Sequence, residues 1–561
     1  MKAFATLLDR LSFEPARNAK LRLIATYLAT EPDPDRGYGL AALTGSLKFR
    51  HATPKLVRVL LRERVDPVLF NLSHEFVGDL SETVALLWPE PEERGDPPSL
   101  SEVVTTLETT SRAAFPAQLT LWLDALDRVG RWALLKLITG SLRIGVSARL
   151  AKTALAQVGD RDVGDIEEIW HGLTPPFTAL FAWLENQGPA LTSVNPAPFR
   201  PPMLAHPFLD RDAAALDPTE FSAEWKWDGI RVHAVSGQCG NEPCVARLYS
   251  RTGEDVSAAF PDLMASITTD RFGAATLDGE LLVVRDNVVE SFGVLQQRLN
   301  RKTVSTKMVA EYPIHLRAYD LLAEGGEDLR PLPFTARRAR LEAFVTRLAD
   351  PRISISPIVP FADWDDLARI RADPEAAGAG INAPAIEGLM LKRRDAAYVS
   401  GRPRGPWFKW KRDPFNIDAV MMYAQRGSGK RSSLYSDFTF GVWHAGSDGD
   451  ALIPVGKSYF GFTDEELGQL DRYVRENTAS KFGPVREVVA NADQGLVLEI
   501  AFEGLNRSKR HKSGVAMRFP RISRIRWDKP SIEADRLDTL TAMLDQKRTA
   551  ATATPITQAR P

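Results

Sequence analysis

The spacing of apolar residues changes along the 561-residue chain, and this change constrains the fold more than any other feature. In residues 1 to about 190, segments such as LVRVLLRERV and RWALLKLITGSLRIG repeat apolar residues every three or four positions, which predicts helices. From Phe221 onward, short runs such as IRVHAV, ELLVV and GLMLKR are bounded by turn residues, which predicts strands. One uniform core is thereby excluded, and a chain of this length suffices for three or four domains.

These patterns predict a multidomain chain with three folded domains and a tail. Residues 1–195 should form an all-α domain, and the Pro-rich NPAPFRPPM at 195–203 should link it to the next one. Residues 196–413 should form an α+β domain with mainly antiparallel strands and helices at TARRARLEAFVTRL and WDDLARIRAD. Residues 414–540 contain short strands and one helical stretch, which predicts a small closed β-barrel of the OB-fold type. Residues 541–561 have few bulky apolar side chains and should be disordered.

Cysteine content and hydropathy exclude several classes of protein. The only cysteines are Cys239 and Cys244, which excludes a disulfide framework and a four-cysteine zinc module and fits a reducing cytoplasm. The stretch CGNEPC between them predicts a plain hairpin loop, because no second pair of ligands exists. No apolar run approaches the ~18 residues of a membrane helix. Asp9 and Arg10 make the first residues an amphipathic helix and not a signal peptide.

The net charge of −1 gives no sign of a nucleic-acid partner, but one local stretch does. From Arg507 to Lys529 there are nine Lys or Arg residues and one acid, Asp528. Such a basic stripe can follow a phosphate backbone. A solvated cationic surface is the alternative explanation.

The most informative motif for chemistry is EWKWDGIR at 224–231. It places Lys226 before the turn-forming pair Asp228-Gly229 and puts Arg231 on the outgoing strand. Lys226 is a candidate nucleophile at a tight turn, with Arg231 able to contact a phosphate or sugar. The alternative is an ordinary hairpin with surface charges.

A lysine nucleophile must be neutral, and its ordinary pKa of ~10.4 makes that form costly near pH 7. Other cations close by should therefore lower the pKa. The motif WFKWKR can supply them, because alternation along a strand sends Lys409 and Lys411 to one face and Phe408 and Trp410 to the other. An anionic group such as an α-phosphate would fit between the two lysines, although an amphipathic strand would show the same pattern.

Two glutamates stand at the starts of apolar strands. Glu280 follows Asp278-Gly279 in LDGELLVV, and Glu387 precedes Gly388 in IEGLMLKR. Carboxylates in such places are costly unless they are paired, hydrogen-bonded or bound to metal. Each alone could be a glutamate facing water at the rim of a sheet. Together with Lys226, they suggest a site for ribose hydroxyls and Mg²⁺.

The order of these motifs resembles that of the covalent nucleotidyltransferases. KWDGIR is followed by SRTGED (250–255), LDGE (277–280), AYDLL (318–322), IEGLMLKR (386–393), WFKWKR (407–412) and RIRWDK (524–529). Within that superfamily, residues 220–530 are similar to bacterial ATP-dependent DNA ligases. The segment 137–157 resembles the helical DNA-binding domain that precedes the core in larger ligases, with Gly140 and Gly145 allowing backbone N–H groups to approach a phosphate.

The resemblance implies an enzyme that uses ATP and Mg²⁺, or Mn²⁺, to seal nicks in duplex DNA in three steps. Lys226 takes AMP from ATP and releases pyrophosphate, AMP passes to the 5′-phosphate of the nick, and the 3′-hydroxyl displaces it. A monomer in the cytoplasm, associated with the nucleoid and acting in repair or replication, is expected.

The resemblance also assigns residues. Lys226 would carry AMP, Glu224 would lie beside the adenine and Tyr319 would stack on it. Arg231 and Glu280 would meet the sugar, Glu280 and Glu387 would bind metal, and Lys409 and Lys411, with Arg404 as a helper, would hold the α-phosphate. In the C-terminal motif, Arg524, Arg526, Asp528 and Lys529 would orient pyrophosphate, with Arg526 and Lys529 at the ATP. The residues expected at the DNA are Arg143, Gly145, Arg251 and Arg518, with Arg251 also at the ribose.

Three rivals remain. An RNA ligase or an mRNA capping enzyme shares the motifs, but a capping enzyme lacks the helical N-terminal domain. An NAD-dependent DNA ligase is disfavoured because its zinc module needs four cysteines. A non-catalytic nick-binding protein would be free to lose Lys226, Glu387 or the lysine pair, and all of these are present.

Overall fold

The computed structural model describes residues 1–47, 49, 53–140, 142–191, 195–239, 242–299, 301, 303–427, 433–446 and 449–552. The chain forms two compact units. The first contains Met1–Ile166, Leu173–Leu191 and Pro414–Ala542. The second contains Glu167–Gly172, Thr192–Asp413 and the end of the chain. Among the described residues, no helix combines the length and the apolar character that a membrane span requires.

The N-terminal region is helical throughout, as predicted. Its helices are α1 (Lys2–Phe13), α2 (Arg17–Thr30), α3 (Asp35–Leu43), α4 (Pro54–Arg62), α5 (Pro67–Val77), α6 (Leu80–Leu87), α7 (Leu100–Thr109), α8 (Phe115–Ala125), α9 (Arg128–Ile138), α10 (Ala148–Val158), α11 (Val163–Ile169) and α12 (Thr178–Leu184). Side-chain caps define the helices around the predicted DNA-binding loop. Asp127 accepts a hydrogen bond from the Gly130 N–H at the start of α9, and Ser147 accepts one from the Leu150 N–H at the start of α10.

The second unit is the predicted α+β region. Its elements are β1 (His206–Pro207), α13 (Asp210–Ala215), β2 (Phe221–Trp227), β3 (Ile230–Cys239), β4 (Glu242–Ser250), α14 (Pro261–Ile267), β5 (Ala275–Arg285), β6 (Val288–Val289), α15 (Phe292–Leu295), α16 (Thr306–Glu311), β7 (Ile314–Glu324), β8 (Glu327–Asp328), α17 (Phe334–Leu348), β9 (Ile353–Ile355), β10 (Ile358–Val359), α18 (Trp364–Ala372), β11 (Ile386–Arg393) and β12 (Trp407–Lys411).

These strands form two mainly antiparallel sheets. The first sheet has the order β1-β12-β11-β2-β10, and the second has the order β4-β3-β5-β7-β8, with β6 beside β5 and β9 parallel to β7. Helices α14 and α17 bury Leu263, Leu341 and Phe344 against the second sheet. Because β2 leads directly into β3, the turn at Asp228-Gly229 connects the two sheets.

The C-terminal region, Pro414–Ala542, is rich in strands, and the predicted fold class is confirmed. Its elements are β13 (Phe415–Arg426), β14 (Tyr435–Gly446), β15 (Gly449–Ser458), α19 (Asp464–Glu476), β16 (Thr478–Phe482), β17 (Val485–Val488), β18 (Val497–Phe502), β19 (Gly504–Arg507), β20 (Val515–Arg518), β21 (Arg521–Arg526) and α20 (Leu537–Thr552). Strand β13 pairs with β18 along its first half and with β17 along its second half. One long strand therefore serves two partners, which curls the sheet.

Two connecting segments are packed against the fold. In the Pro-rich stretch at 195–203, Ala197 and Phe199 are buried against β3 and β4, and the Tyr249 hydroxyl donates to the Ala197 carbonyl at 2.8 Å. Proline limits helix formation but not the burial of an extended chain. The tail was predicted to be disordered from residue 541, yet α20 continues to Thr552 and buries Leu540 and Leu544 one turn apart. Residues 553–561 lie outside the described part of the chain.

Candidate active site

Three strands of the first sheet bring the predicted nucleophile and one of the predicted phosphate-binding lysines to the same glutamate. Gly388 in β11 lies opposite Lys226 in β2 on one side and opposite Lys411 in β12 on the other. The neighbouring Glu387 forms an ion pair with Lys226 through Oε1, and its Oε2 lies 3.3 Å from Lys411 Nζ. Burial raises the pKa of Glu387, but Lys226 and Lys411 outweigh it and lower the pKa below its ordinary value. The glutamate is thus an anion shared by two lysines.

Glycine is required at position 388 for two reasons. Its φ of +146° lies in a region that L-residues rarely adopt. A Cβ there would also meet the Trp410 carbonyl oxygen at 2.2 Å, which is far below van der Waals contact. The close approach of β11 to β12 therefore depends on Gly388, and it sets how near Lys226 and Lys411 come to Glu387.

Lys409 lies on the same side of β12 as Lys411, as the alternation predicted. Burial, followed by the charges of Lys411 and Lys226, lowers the pKa of Lys409 below its ordinary value. The aromatic residues point the other way, where Trp410 and Phe408 pack on Phe208 at ring distances of 4.8 and 5.7 Å. The site therefore gathers three lysines, two of which share the Glu387 carboxylate.

The second sheet contributes Glu280, which stands opposite Arg231 in the β3–β5 ladder. Burial raises the pKa of Glu280 to about 8, even though Lys226 and Arg231 act to lower it, and the negative charge of Glu387 raises it further. Because the charges of Lys226 and Glu387 in the first sheet act on Glu280 in the second, residues of both sheets contribute to one site.

Arg231 is held mainly by the protein itself. Its guanidinium donates to both carboxylate oxygens of Asp278, at 2.9 and 2.6 Å, to the Met203 carbonyl at 2.7 Å and to the Tyr398 hydroxyl at 3.1 Å. Asp278 is fully buried, and Arg231 and His233 lower its pKa against the effect of burial. These described contacts use four of its five N–H groups, which leaves one donor of Arg231 among them for a sugar or phosphate.

The predicted adenine pocket contains two cations that sequence analysis did not single out. Glu224 is buried and accepts from Lys392 Nζ at 2.8 Å and from Arg338 Nη1 at 3.0 Å. The Lys392 ammonium also donates to the Tyr319 carbonyl at 3.0 Å and lies 4.7 Å from the centre of that ring. Lys392 and Arg338 thus tie Glu224 and Tyr319 into one charged cluster.

Arg251 and Arg402 complete the cationic side of the site. Partial burial lowers the pKa of Arg251, and the charges of Arg231 and Arg402 lower it further, while Tyr319 and Glu280 raise it. Arg402 also acts on Lys409. Arg402 and Arg404, the predicted helper, are both exposed, and of the two only Arg402 is among the charges that act on Lys409 and Arg251.

The residues at the site can supply only some of the ligands that a magnesium ion needs. Among the described residues, no group of three or more His, Cys, Asp or Glu side chains could hold a metal by itself. Mg²⁺ characteristically uses one or two carboxylates together with substrate phosphates and water. Glu280 and Glu387 can supply these two carboxylates, and the remaining ligands must come from a nucleotide and solvent.

In the C-terminal region, Asp418 joins two of the predicted pyrophosphate-orienting residues, Arg526 and Lys529. Asp418 accepts from Lys529 Nζ at 2.8 Å and from Arg526 Nη1 at 3.2 Å, and Asp528 accepts from Arg526 Nη2 at 2.9 Å. Arg524 is exposed. Sequence analysis did not identify Asp418.

The remaining predicted DNA contacts lie in two separate places. Arg518 ends β20, beside the exposed Phe519. Arg143 is exposed in the loop between α9 and α10 and has a left-handed φ of +47°. Gly145 in the same loop has a φ of +67°, and its carbonyl accepts from Lys20 Nζ at 2.9 Å. The predicted hairpin between Cys239 and Cys244 is present as the β3–β4 pair, Cys244 is a free thiol, and the two residues at the turn lie outside the described part.

The sequence models of two protein-domain families match the chain. Residues 202–411 match the ATP dependent DNA ligase domain, and residues 431–529 match the ATP dependent DNA ligase C terminal region. The two matches include the site in the second unit and the Arg526–Lys529 motif in the first.

Two relatives of the chain are named as probable DNA ligases, and a solved structure has a similar fold. The chain is 29% identical to a probable DNA ligase of Koribacter versatilis, over 96% of this chain and 95% of that protein. It is 30% identical to a probable DNA ligase of Anaeromyxobacter dehalogenans, over 79% of this chain and 82% of that protein. A solved structure called Pmar-Lig_Pre aligns with a TM-score of 0.57 and 16% identity, covering 94% of this chain and 99% of its own. At that identity, the last likeness supports the fold alone.

Proposed function

The chain belongs to the ATP-dependent DNA ligase family, and from this premise we propose that it seals nicks in duplex DNA through lysine–AMP and DNA–adenylate intermediates. The observation that carries the proposal is the sharing of Glu387 by Lys226 and Lys411, with Lys409 close by. It places a candidate nucleophile among cations that can take up a phosphate.

In the first step, Lys226 Nζ attacks the α-phosphorus of ATP. A P–N bond forms, the bond to the bridging oxygen of pyrophosphate breaks, and the lysine loses a proton. An ammonium in an ion pair is not a nucleophile, so Lys226 must first leave Glu387. Lys409 and Lys411 hold the α-phosphate, and Arg526 and Lys529 orient the leaving pyrophosphate.

The nucleotide is held by residues of both sheets in the second unit. Tyr319 stacks on the adenine, and Glu224 lies beside it within the cluster that Lys392 forms. The single remaining donor of Arg231 meets the sugar, and Glu280 accepts from a ribose hydroxyl. Glu280 and Glu387 would hold Mg²⁺ or Mn²⁺, and the ion would supply positive charge that offsets negative charge on the phosphate oxygens.

In the two DNA steps, the 5′-phosphate of the nick takes AMP from Lys226, and the 3′-hydroxyl then attacks this phosphate and expels AMP. Arg251, with Arg402 beside it, meets the 5′-phosphate. Arg143, Gly145 and Arg518 contact the duplex through its phosphates, which position the protein without reading sequence. The enzyme acts as a cytoplasmic, nucleoid-associated monomer in DNA repair or replication.

The test is incubation with ATP labelled at the α-phosphate, followed by denaturation. Label should stay on the protein and move to DNA when a nicked duplex is added, whereas Lys226→Ala should acquire none and still bind DNA. Label on the alanine variant above background would contradict the assignment of Lys226. Nicked substrates with RNA on either side of the nick separate DNA ligation from RNA ligation, and label passed from GTP, in place of ATP, to a 5′-diphosphate RNA end would indicate a capping enzyme.

A further inference from the structure

Asp418 joins the two cations that the proposed function assigns to pyrophosphate. It lies in β13, near the start of the C-terminal region, with 14% of its side chain exposed. Its Oδ2 accepts from both Lys529 and Arg526, whereas its Oδ1 is buried without a hydrogen-bond partner among the described residues. One carboxylate oxygen thus fixes the distance between an ammonium and a guanidinium.

The backbone of Asp418 is itself held on two sides. Its N–H donates to Asp535 Oδ2 at 2.8 Å, and the Asp535 N–H donates back to the Asp418 carbonyl at 2.8 Å. In addition, Asp418 lies opposite Glu499 in the ladder between β13 and β18. The carboxylate therefore projects from a fixed point, and this is what a residue needs in order to position others.

The two cations are neighbours because of the turn that follows β21. The strand ends at Arg526, and the Lys529 N–H bonds to the Arg526 carbonyl at 3.3 Å. Two positive groups this close repel each other, and a shared anion offsets the repulsion. Without Asp418, Lys529 would lose this ion pair, and the Arg526 side chain would keep only its described bonds to Asp528.

Asp418 leaves donors available on both cations. Arg526 uses its Nε–H and one Nη2–H on Asp528 and one Nη1–H on Asp418, so that one N–H of each Nη group is left among the described contacts. Lys529 uses one of its three N–H groups on Asp418. The pair can therefore hold an oxyanion while it stays bound to Asp418.

We propose that Asp418 is a positioning residue for the adenylation step, holding Arg526 and Lys529 together as one pyrophosphate-binding unit before ATP arrives. The inference rests on the proposed role of these two cations. Donors that are already ordered cost no reorganisation when charge develops on the leaving group. The substrate class that the unit recognises is a polyphosphate, either as the outer phosphates of ATP or as free pyrophosphate.

The test uses the full chain with Asp418→Asn, which keeps the size of the side chain and removes its charge. The rate of lysine labelling from ATP should fall about tenfold, a fraction of the 10²–10³ that direct loss of a stabilising donor costs. In the reverse direction, the inorganic pyrophosphate concentration that discharges half of the enzyme–AMP should rise by a similar factor. Asp418→Glu should recover part of both losses. Sealing of a nick that already carries AMP needs no pyrophosphate, and it reports that each variant is folded.

A matched control is Asp471→Asn. Asp471 is 12% exposed in the same C-terminal region, and its hydrogen bonds within the described part of the chain go to Arg475 and to the Tyr435 N–H, not to Arg526 or Lys529. This variant should label at the wild-type rate with the wild-type pyrophosphate dependence. A parallel loss in both asparagine variants would mean general damage to the region and would overturn the inference.

A double-mutant cycle separates this inference from the function on which it rests. Arg526→Ala/Lys529→Ala should label slowly, and adding Asp418→Asn should change nothing further, because the residues to be positioned are gone. A wild-type rate in the Arg526/Lys529 variant would refute the proposed role of these cations. A slow Arg526/Lys529 variant together with a wild-type rate in Asp418→Asn would refute the role of Asp418 alone. A further loss in the triple variant would show that Asp418 acts through the fold instead.

Discussion

Binding of a magnesium–nucleotide complex should release a proton from Glu280. Burial raises the pKa of this carboxyl to about 8. With that pKa, about nine molecules in ten are protonated at pH 7 and about one in ten at pH 9. Ligation of a metal requires the deprotonated carboxylate, and metal binding therefore releases protons. The expected release is about 0.9 proton per site at pH 7 and about 0.1 at pH 9.

Calorimetric titration in buffers of different ionisation enthalpy measures this number. The ligand is the Mg²⁺ complex of an ATP analogue with a methylene group between the α- and β-phosphorus, which cannot lose pyrophosphate. Glu280→Gln should abolish the release, whereas Glu290→Gln, which removes the partner of Arg285 at the end of β5, should leave it unchanged. Release below about 0.3 proton at pH 7, or an equal release from Glu280→Gln, would refute the argument.

The same group gives a stability prediction with a defined sign. The folded state binds the Glu280 proton more tightly than the unfolded state, whose pKa is near 4.5. The contribution of Glu280 to the free energy of unfolding is therefore fully present below pH 4.5 and is lost as the pH rises towards 8. The difference in pKa corresponds to at most about 5 kcal/mol. The wild-type protein should therefore have a lower denaturation midpoint at pH 9 than at pH 6, and Glu280→Gln should make this difference smaller. An unchanged difference would contradict the prediction.

Three further predictions follow from close contacts and exposed charge. Gly388→Ala should reduce lysine labelling from ATP by about two orders of magnitude, because its Cβ would meet the Trp410 carbonyl. Gly405 also has a positive φ but faces open space, and Gly405→Ala should reduce the same labelling rate less than tenfold. Asp278→Asn should lower the free energy of unfolding by about 3–5 kcal/mol in a urea titration, since it leaves the charge of Arg231 buried and unpaired. Arg143→Ala should weaken binding to nicked duplex and reduce the slope of log affinity against log salt by about 0.9, measured by fluorescence anisotropy, without a change in labelling by ATP.

Periodicity and motif spacing were sufficient to predict the elements that carry the site. The strands around Lys226, Glu280, Glu387 and Lys409 lie where alternation and turn residues placed them. Alternation also predicted correctly that the lysines of β12 face one side and its aromatic residues the other. These features are local, since each depends on residues that are neighbours in the chain.

The pairing of charges could not be predicted, because it depends on residues far apart in the chain. Arg338 lies in a helix with several other arginines, and nothing in that pattern distinguishes the one that reaches Glu224 over 114 positions. Lys392 gave a weak signal, since a lysine within an apolar strand needs a partner. Arg402 and Arg404 are equivalent by composition, and only the fold of the loop before β12 brings the former towards Lys409.

The two ion-pair clusters follow one arrangement. In the second unit, Glu387 holds Lys226 and Lys411, and in the C-terminal region, Asp418 holds Arg526 and Lys529. Two cations that are to bind a polyphosphate repel each other while no phosphate is bound. One carboxylate between them offsets this repulsion and keeps each pair together. In the proposed mechanism, the carboxylate of Glu387 must give up Lys226 before the reaction, because the lysine is the proposed nucleophile. The cations at Asp418 are proposed only to bind, and the carboxylate can keep both throughout the step. Loss of charge at 387 should therefore abolish labelling, whereas loss of charge at 418 should slow it and shift its dependence on pyrophosphate.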